Sequence, residues 1–198
     1  MKNISLIPQQ AHKPAPGTLL DAIYRRHTDR FFSPKPLDAE HLSQLLWAAY
    51  GINRPDGHRT VPSAMALYPL RIYAFMPEGV YLYNPVESRL EAVAEGDHRA
   101  AAGMQDFVAS APLNLVIYSD YDALRTGDPH TDKMMEGLKA AMSALDAGAV
   151  AENVYLYCSS EGINVVERMM VDSDAVARLL SLPDSYHFQV ALSVGYGA

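Results

Sequence analysis

The run Leu113-Asn114-Leu115-Val116-Ile117-Tyr118 constrains this chain more than any other segment. It is β-rich and apolar, without the alternation of a half-solvated strand, so it reads as a strand buried inside the molecule. Burying such a strand takes length, and the chain has 198 residues. At that size roughly 70% of the unfolded surface can be buried, enough for one core without covalent staples. No disulfide staple can form within the chain. Cys158 is the only cysteine, which excludes an internal disulfide framework and any all-cysteine metal site.

The other elements follow from capping residues and periodicity. Residues 1–16, with Pro8, Pro14 and Pro16, read as an extended arm, and residues 17–198 as a single domain. Thr18 is placed to cap a helix whose Leu19, Leu20 and Ile23 share one face. Asp38 is placed to cap a second helix carrying Leu42, Leu45, Leu46 and Ala49, with Gly51 as its stop. Leu70 to Phe75 and Val80 to Tyr83 flank Pro77-Glu78-Gly79 and predict a hairpin. Asp97 to Val108 is a helix candidate, and Asp132 to Ser160 is the longest helical pattern, ended by Gly162. Ile163 to Val166 and Phe188 to Val194 read as strands, with an Asp172-capped helix between them. Strands and helices alternate around one hairpin, which predicts an α+β or mixed α/β fold.

Charge and composition narrow the function. The net charge is −7, with 49% hydrophobic and 20% charged residues, which is globular composition and argues against a general nucleic-acid binder. No stretch reaches the roughly 18 apolar residues of a membrane span. Pro8 breaks the N-terminus too early for a signal peptide. The expected location is cytoplasmic.

Two segments can carry chemistry. Arg25-Arg26-His27-Thr28-Asp29-Arg30 gathers three arginines, a histidine and a hydroxyl at a helix end in an acidic chain. Guanidinium groups bind phosphate through paired charge-assisted hydrogen bonds, and Thr28 adds a hydroxyl. The alternative is a solvated basic end that complements the helix dipole. Arg59-Thr60-Val61-Pro62-Ser63-Ala64-Met65-Ala66-Leu67-Tyr68-Pro69 offers small residues and hydroxyls against which a flat ligand could lie; a plain loop with one helical turn has similar composition. The seven histidines show no metal-ligand spacing, and no HExxH, GxSxG, P-loop or GxGxxG occurs. Cys158 lies on the apolar side of the long helix and reads as an inert core thiol. Asp146 and Glu152 read as network or solvent-facing groups rather than an acid–base pair.

In their order along the chain, these segments resemble the nitroreductase-like flavin oxidoreductases. Arg26-His27-Thr28-Asp29-Arg30 with Phe31-Phe32 resembles the family's Arg-Arg-Ser-x-Arg or Arg-His-Ser-x-Lys signature. Leu45-Leu46-Trp47-Ala48-Ala49-Tyr50-Gly51 is similar to the block that follows it. Arg59 to Ala64 with Leu67-Tyr68-Pro69 resembles the branch containing the peptide thiazoline/oxazoline dehydrogenases, as do Gly79 to Tyr83 and Gly96-Asp97-His98-Arg99. The long helix, the Gly162 turn and Ser193-Val194-Gly195-Tyr196 complete the order.

The resemblance implies a central, mainly antiparallel sheet flanked by helices, and an FMN-bound homodimer with each site at the subunit interface. It implies that Arg26 and Arg30 hold the FMN phosphate, with His27 and Thr28 on phosphate, ribityl or ring edge. Pro62, Ser63, Ala64 and Leu67 would pack on the isoalloxazine from the second subunit. The backbone near Arg168, Met169 and Met170 would face the flavin N5 edge. Many members carry glycine where Met169 or Met170 stands here, which weighs against nitroaromatic substrates. The basic residue common after the last Gly-Tyr has no counterpart before Ala198, which leaves more of the phosphate binding to Arg26 and Arg30. The implied activity passes hydride from NAD(P)H through flavin N5 to a small nitro, quinone or enone acceptor by a ping-pong mechanism. The alternative is a non-catalytic flavin-binding protein of the same fold. Ala140, Ala144, Gly148 and Ala151 are expected to form the helix face at the two-fold contact.

Overall fold

The computed structural model describes residues 14–198, so the arm expected over residues 1–16 lies almost wholly outside the described residues. Among the described residues six strands form one sheet: β1 Leu70–Met76, β2 Gly79–Asn84, β3 Arg89–Glu95, β4 Leu113–Asp120, β5 Ile163–Arg168 and β6 Tyr186–Tyr196. Their order is β3-β2-β1-β4-β6-β5, and every neighbouring pair is antiparallel. The helices are α1 Leu19–Arg25, α2 Ala39–Tyr50, α3 Phe107–Ser110, α4 Pro129–Met135, α5 Lys139–Glu161 and α6 Ser173–Leu179. The fold is α+β.

Strand β4 sits inside the sheet, between β1 and β6, and both of its faces are covered. Leu113, Leu115 and Ile117 point into a core shared with Leu45 and Tyr50 of α2 and Val150 and Val154 of α5. Val116 and Tyr118 point the other way, against Val108 of α3 and Val176 of α6. This is why the run is apolar at consecutive positions. Each fully buried leucine or isoleucine there contributes about 1.5–3 kcal/mol relative to exposure.

Three helix starts follow the sequence reading. Thr18, Asp38 and Asp172 each accept a backbone N–H from the first turn of the helix they precede. Gly162 closes α5 in the left-handed region, at φ 69°, where a Cβ would be strained. The hairpin is also found, with Met76 paired to Gly79 across Pro77-Glu78.

Other expectations are corrected. The helix expected over Asp97 to Val108 is a 3-10 turn, Arg99–Ala102, followed by the one-turn α3. Gly103 between them is extended, and Met104 donates its N–H to the Met170 carbonyl instead of continuing a helix. The helix expected from Asp132 to Ser160 is two helices, α4 and α5, joined by a 3-10 turn that contains Gly137. Strand β3 has no signature in the sequence. It is an edge strand with solvent-facing Arg89, Val93 and Glu95, so it lacks an apolar period.

Helix α1 turns its apolar face outward. Leu19, Leu20, Ile23 and Tyr24 are exposed, while Asp21 and Ala22 are buried. Asp21 accepts from the Gly17 N–H and pairs with Arg25, which fixes that rotation.

Candidate active site

After α1 the chain runs extended along the outer edge of β5. The Asp29 N–H donates to the Val165 carbonyl, Asn164 Nδ2 to the Phe31 carbonyl, and the Ser33 N–H to the Tyr196 carbonyl. This edge cover presents the cationic residues in a fixed order. Thr28 Oγ1 lies 3.0 Å from the Tyr155 hydroxyl of α5, which also accepts the Glu167 N–H at 2.9 Å. The Arg26 guanidinium stacks over the Tyr155 ring, 5.2 Å from its centroid. His27 is tied to the Arg25 carbonyl through Nδ1 at 2.9 Å. Arg25 is neutralised by Asp21, whereas Arg26 and Arg30 have no carboxylate within 4.0 Å among the described residues. Two unpaired guanidiniums beside a hydroxyl suit a phosphate dianion. Burial, and then the charge of Glu152, push the Glu167 carboxyl above its usual range.

The second segment is built against α5 further toward its N-terminus. Ser63 Oγ donates to Asp146 and accepts the Tyr68 N–H, and the Ala64 N–H also reaches Asp146, at 3.3 Å. A 3-10 turn, Ala64–Ala66, follows, and Met65, Ala66 and Tyr68 all hold positive φ of 49–55° without being glycine. Such strain persists where surrounding contacts over-determine the backbone, and it clusters at binding sites. Pro62 is exposed, and Ser63, Ala64 and Leu67 are half-buried. Pro62, Ser63 and Ala64 border a cavity of about 290 Å³ with Met142, Leu145 and Asp146. Burial raises the Asp146 pKa, against the Ser63 and Ala64 hydrogen bonds, which lower it.

Arg168 ends β5 with its side chain turned inward. It donates to Ser193 Oγ, the Ala102 carbonyl and Asn114 Oδ1, and burial lowers its pKa to about 10. Gly103 is required here, because a Cβ would run into the Arg168 guanidinium. The Arg168 side chain is therefore committed to the interior. Met169 and Met170, by contrast, expose their side chains at 70% and 60%. Met104 is exposed beside them.

The structure therefore brings Arg26 and Thr28 to Tyr155, beside Glu167 near the end of β5; His27 instead borders a cavity with Ile163 and Asn164 at the start of that strand, and Arg30 follows on the same extended segment. It does not bring Pro62, Ser63 and Ala64 to them. Their anchors, Asp146 and Tyr155, are nine residues apart on α5, about 13.5 Å of helix axis. Nothing in the sequence marks Tyr155 as part of a site, since a tyrosine in an apolar helical pattern reads as core. A groove of about 460 Å³ between α2 and the β2–β3 hairpin holds none of the expected site residues. No cluster of metal-ligating side chains occurs among the described residues, and no helix there is long and apolar enough to cross a membrane. Burial pushes the Cys158 thiol up, as suits an inert core group.

The six-stranded antiparallel sheet with its flanking helices and a cationic segment along one edge is an α+β architecture that known proteins share. The nitroreductase family model matches residues 23–196, and the chain belongs to that family. MJ1384 of Methanocaldococcus jannaschii, which carries a provisional nitroreductase name, is 35% identical over 158 residues, covering 75% of this chain and 76% of that protein. A crystal structure from Ralstonia eutropha, provisionally named a nitroreductase, superposes with a TM-score of 0.83 at 34% identity, covering 94% and 86% of the two chains. Two more distant structures share the fold. One is the Escherichia coli McbBCD microcin synthetase with truncated pro-MccB17 bound, at TM-score 0.76 and 17% identity over 100% of this chain and 76% of that one. The other is a Desulfovibrio desulfuricans protein in complex with FMN, at TM-score 0.65 and 18% identity over 91% and 86%.

Proposed function

We propose that the protein is an FMN-dependent oxidoreductase that takes hydride from NAD(P)H and works as a homodimer. The observation that carries this reading is the Arg26 guanidinium stacked on Tyr155 beside Thr28, with Arg30 following on the same extended segment and neither arginine paired to a carboxylate among the described residues. They would hold the FMN phosphate, with His27 and Thr28 beside it. When bound, the flavin supplies hydride acceptance and donation at N5. The chain's own contribution is to orient that group and to stabilise negative charge on it. The backbone of Arg168, Met169 and Met170 would line the reacting edge, and Met169 and Met170 would limit which acceptor enters.

Pro62, Ser63, Ala64 and Leu67 would cover the ring from the second subunit. Support for this lies in the separation of the two clusters along α5 and in the outward apolar face of α1. It lies also in the face of α5 formed by Ala144, Leu145 and Gly148, all exposed. Ala140 is exposed as well, whereas Ala151, expected on the same stripe, is buried within the chain.

The test is a flavin titration. The parent protein should quench FMN fluorescence, and Arg26→Ala with Arg30→Ala should weaken binding two- to four-decade-fold while the protein stays folded, as charge-assisted bonds of about 1.5–3 kcal/mol each require. Equal affinity in the double variant would place the phosphate elsewhere. Met169 and Met170, exposed at the expected N5 edge, favour a second reading, a non-catalytic flavin carrier. Bleaching of the bound flavin by NADH or NADPH excludes it.

A further inference from the structure

Four arginines of the sheet region are at least partly buried, and three of them are fully used. Arg168 donates to Ser193, Ala102 and Asn114. Arg71 donates to Asp120 and to the carbonyls of Tyr68, Pro69 and Leu70. Arg99 pairs with Asp97 and donates to the Ala111 carbonyl. Arg59 is different. Its guanidinium lies 4.0 Å from the Tyr50 ring centroid and 5.0 Å from that of Tyr68. Its backbone N–H donates to the Tyr68 hydroxyl at 3.2 Å. Its side chain makes no hydrogen bond and no ion pair among the described residues.

A cation held by ring faces keeps its N–H edge free, because cation–π attraction acts through the plane and hydrogen bonding acts in it. Burial lowers the Arg59 pKa, opposed by the two tyrosines, while its nitrogens keep contact with solvent and are open to an incoming acceptor. Arg71 adds a second positive charge nearby, and its own carboxylate partner is Asp120. Two positive charges thus meet around Tyr50, and the one carboxylate that also acts on it, Asp146, is already occupied by Ser63 and the Ala64 N–H. The same tyrosine that stacks on Arg59 also donates its backbone N–H to Ser63, so the cation is tied directly to the strained Ser63–Tyr68 turn.

We propose that Arg59 is the anchor for an oxyanion on the molecule that exchanges hydride at this site: a carboxylate of the electron acceptor, or the extra phosphate of the reduced dinucleotide. The guanidinium edge would take either through two parallel N–H···O bonds, with Tyr50 and Tyr68 fixing its plane. The inference rests on the reading that the Pro62–Leu67 turn lies on the flavin.

Two measurements on the parent protein, Arg59→Met and Arg59→Lys separate the two sources. Calorimetric titration with benzoate and with its uncharged analogue benzamide reads the carboxylate; steady-state KM values for NADPH and NADH on the FMN-loaded protein read the phosphate. A parent that prefers one anionic probe by about ten- to a hundredfold over its uncharged or less charged counterpart, with the preference lost in Arg59→Met and reduced in Arg59→Lys, is the expected result. A preference that survives in both variants, or a parent that prefers neither anion, overturns the proposal. Arg59→Lys keeps the charge and covers the case in which Arg59→Met does not fold. The benzoate titration is run without added FMN as well as with it. Failure of the flavin reading then appears as absent FMN quenching, and failure of the Arg59 anchor as absent anion preference.

Discussion

Asp146 shows how a single carboxylate sets the shape of a loop. It accepts from Ser63 Oγ and from the Ala64 N–H, and Ser63 in turn holds the Tyr68 N–H, so one side chain fixes both ends of the turn with three left-handed residues. Asp146→Ala removes the acceptor and leaves two donors without it, each loss worth about 1–3 kcal/mol. The turn should relax, and FMN affinity should fall about tenfold or more, with Asp146→Asn retaining more of it because its carbonyl can still accept. Fluorescence titration of FMN measures this; parent-like affinity in Asp146→Ala would show that the turn needs no clamp from α5. Asp146 was legible in the sequence only as a network residue, since nothing local says that it meets a serine more than eighty positions away.

At the scale of elements, caps and periodicity were readable because their causes are local. Thr18, Asp38, Asp172 and Gly162 act within one turn of chain. The breaks at Gly103 and Gly137 were not readable, because an isolated glycine is tolerated in a helix unless a long-range contact claims the backbone. Gly103 has such contacts, with Met104 bonded to Met170 and the Arg168 guanidinium filling the space of a side chain. The outward rotation of α1 was hidden for the same reason: the pattern gives a face but not what it meets. Helix α2 offers a test of one cap by pH. The His41 backbone N–H, then its side chain, hold the Asp38 carboxyl at about 2, below its usual 3.8. A carboxyl with a depressed folded pKa contributes stability above its unfolded value, and that contribution is lost as pH falls through its folded value. The difference in Tm between the parent and Asp38→Ala should therefore be largest above pH 4 and close toward pH 2. A difference that stays constant over that range would exclude the ionised cap as its source. Helix α5 carries the element-scale test of assembly. A Cβ at Gly148 meets nothing within 4 Å in the single chain, so Gly148→Leu should leave a monomer intact and even favour the helix. Against a second copy the same side chain overpacks, costing about 1–3 kcal/mol or more, and both dimer and FMN should be lost. A dimeric, flavin-loaded Gly148→Leu protein would move the contact off this face.

The whole molecule is a sheet covered on both faces, with a cationic segment along one edge and a strained, Asp146-clamped turn about 13.5 Å away along α5. Family membership supplies the class, and the sequence order of blocks was enough to recognise it. What one chain leaves apart, a two-fold copy would join, because an isologous contact places each element of one subunit against its counterpart's surroundings. The most direct measurement is size-exclusion light scattering with absorbance recorded through the flavin band on the same peak. The expected result is one species of twice the 21.7 kDa chain mass that carries FMN. A 21.7 kDa species that binds FMN and is bleached by NADH or NADPH would contradict it, since the site would then be complete within a single chain.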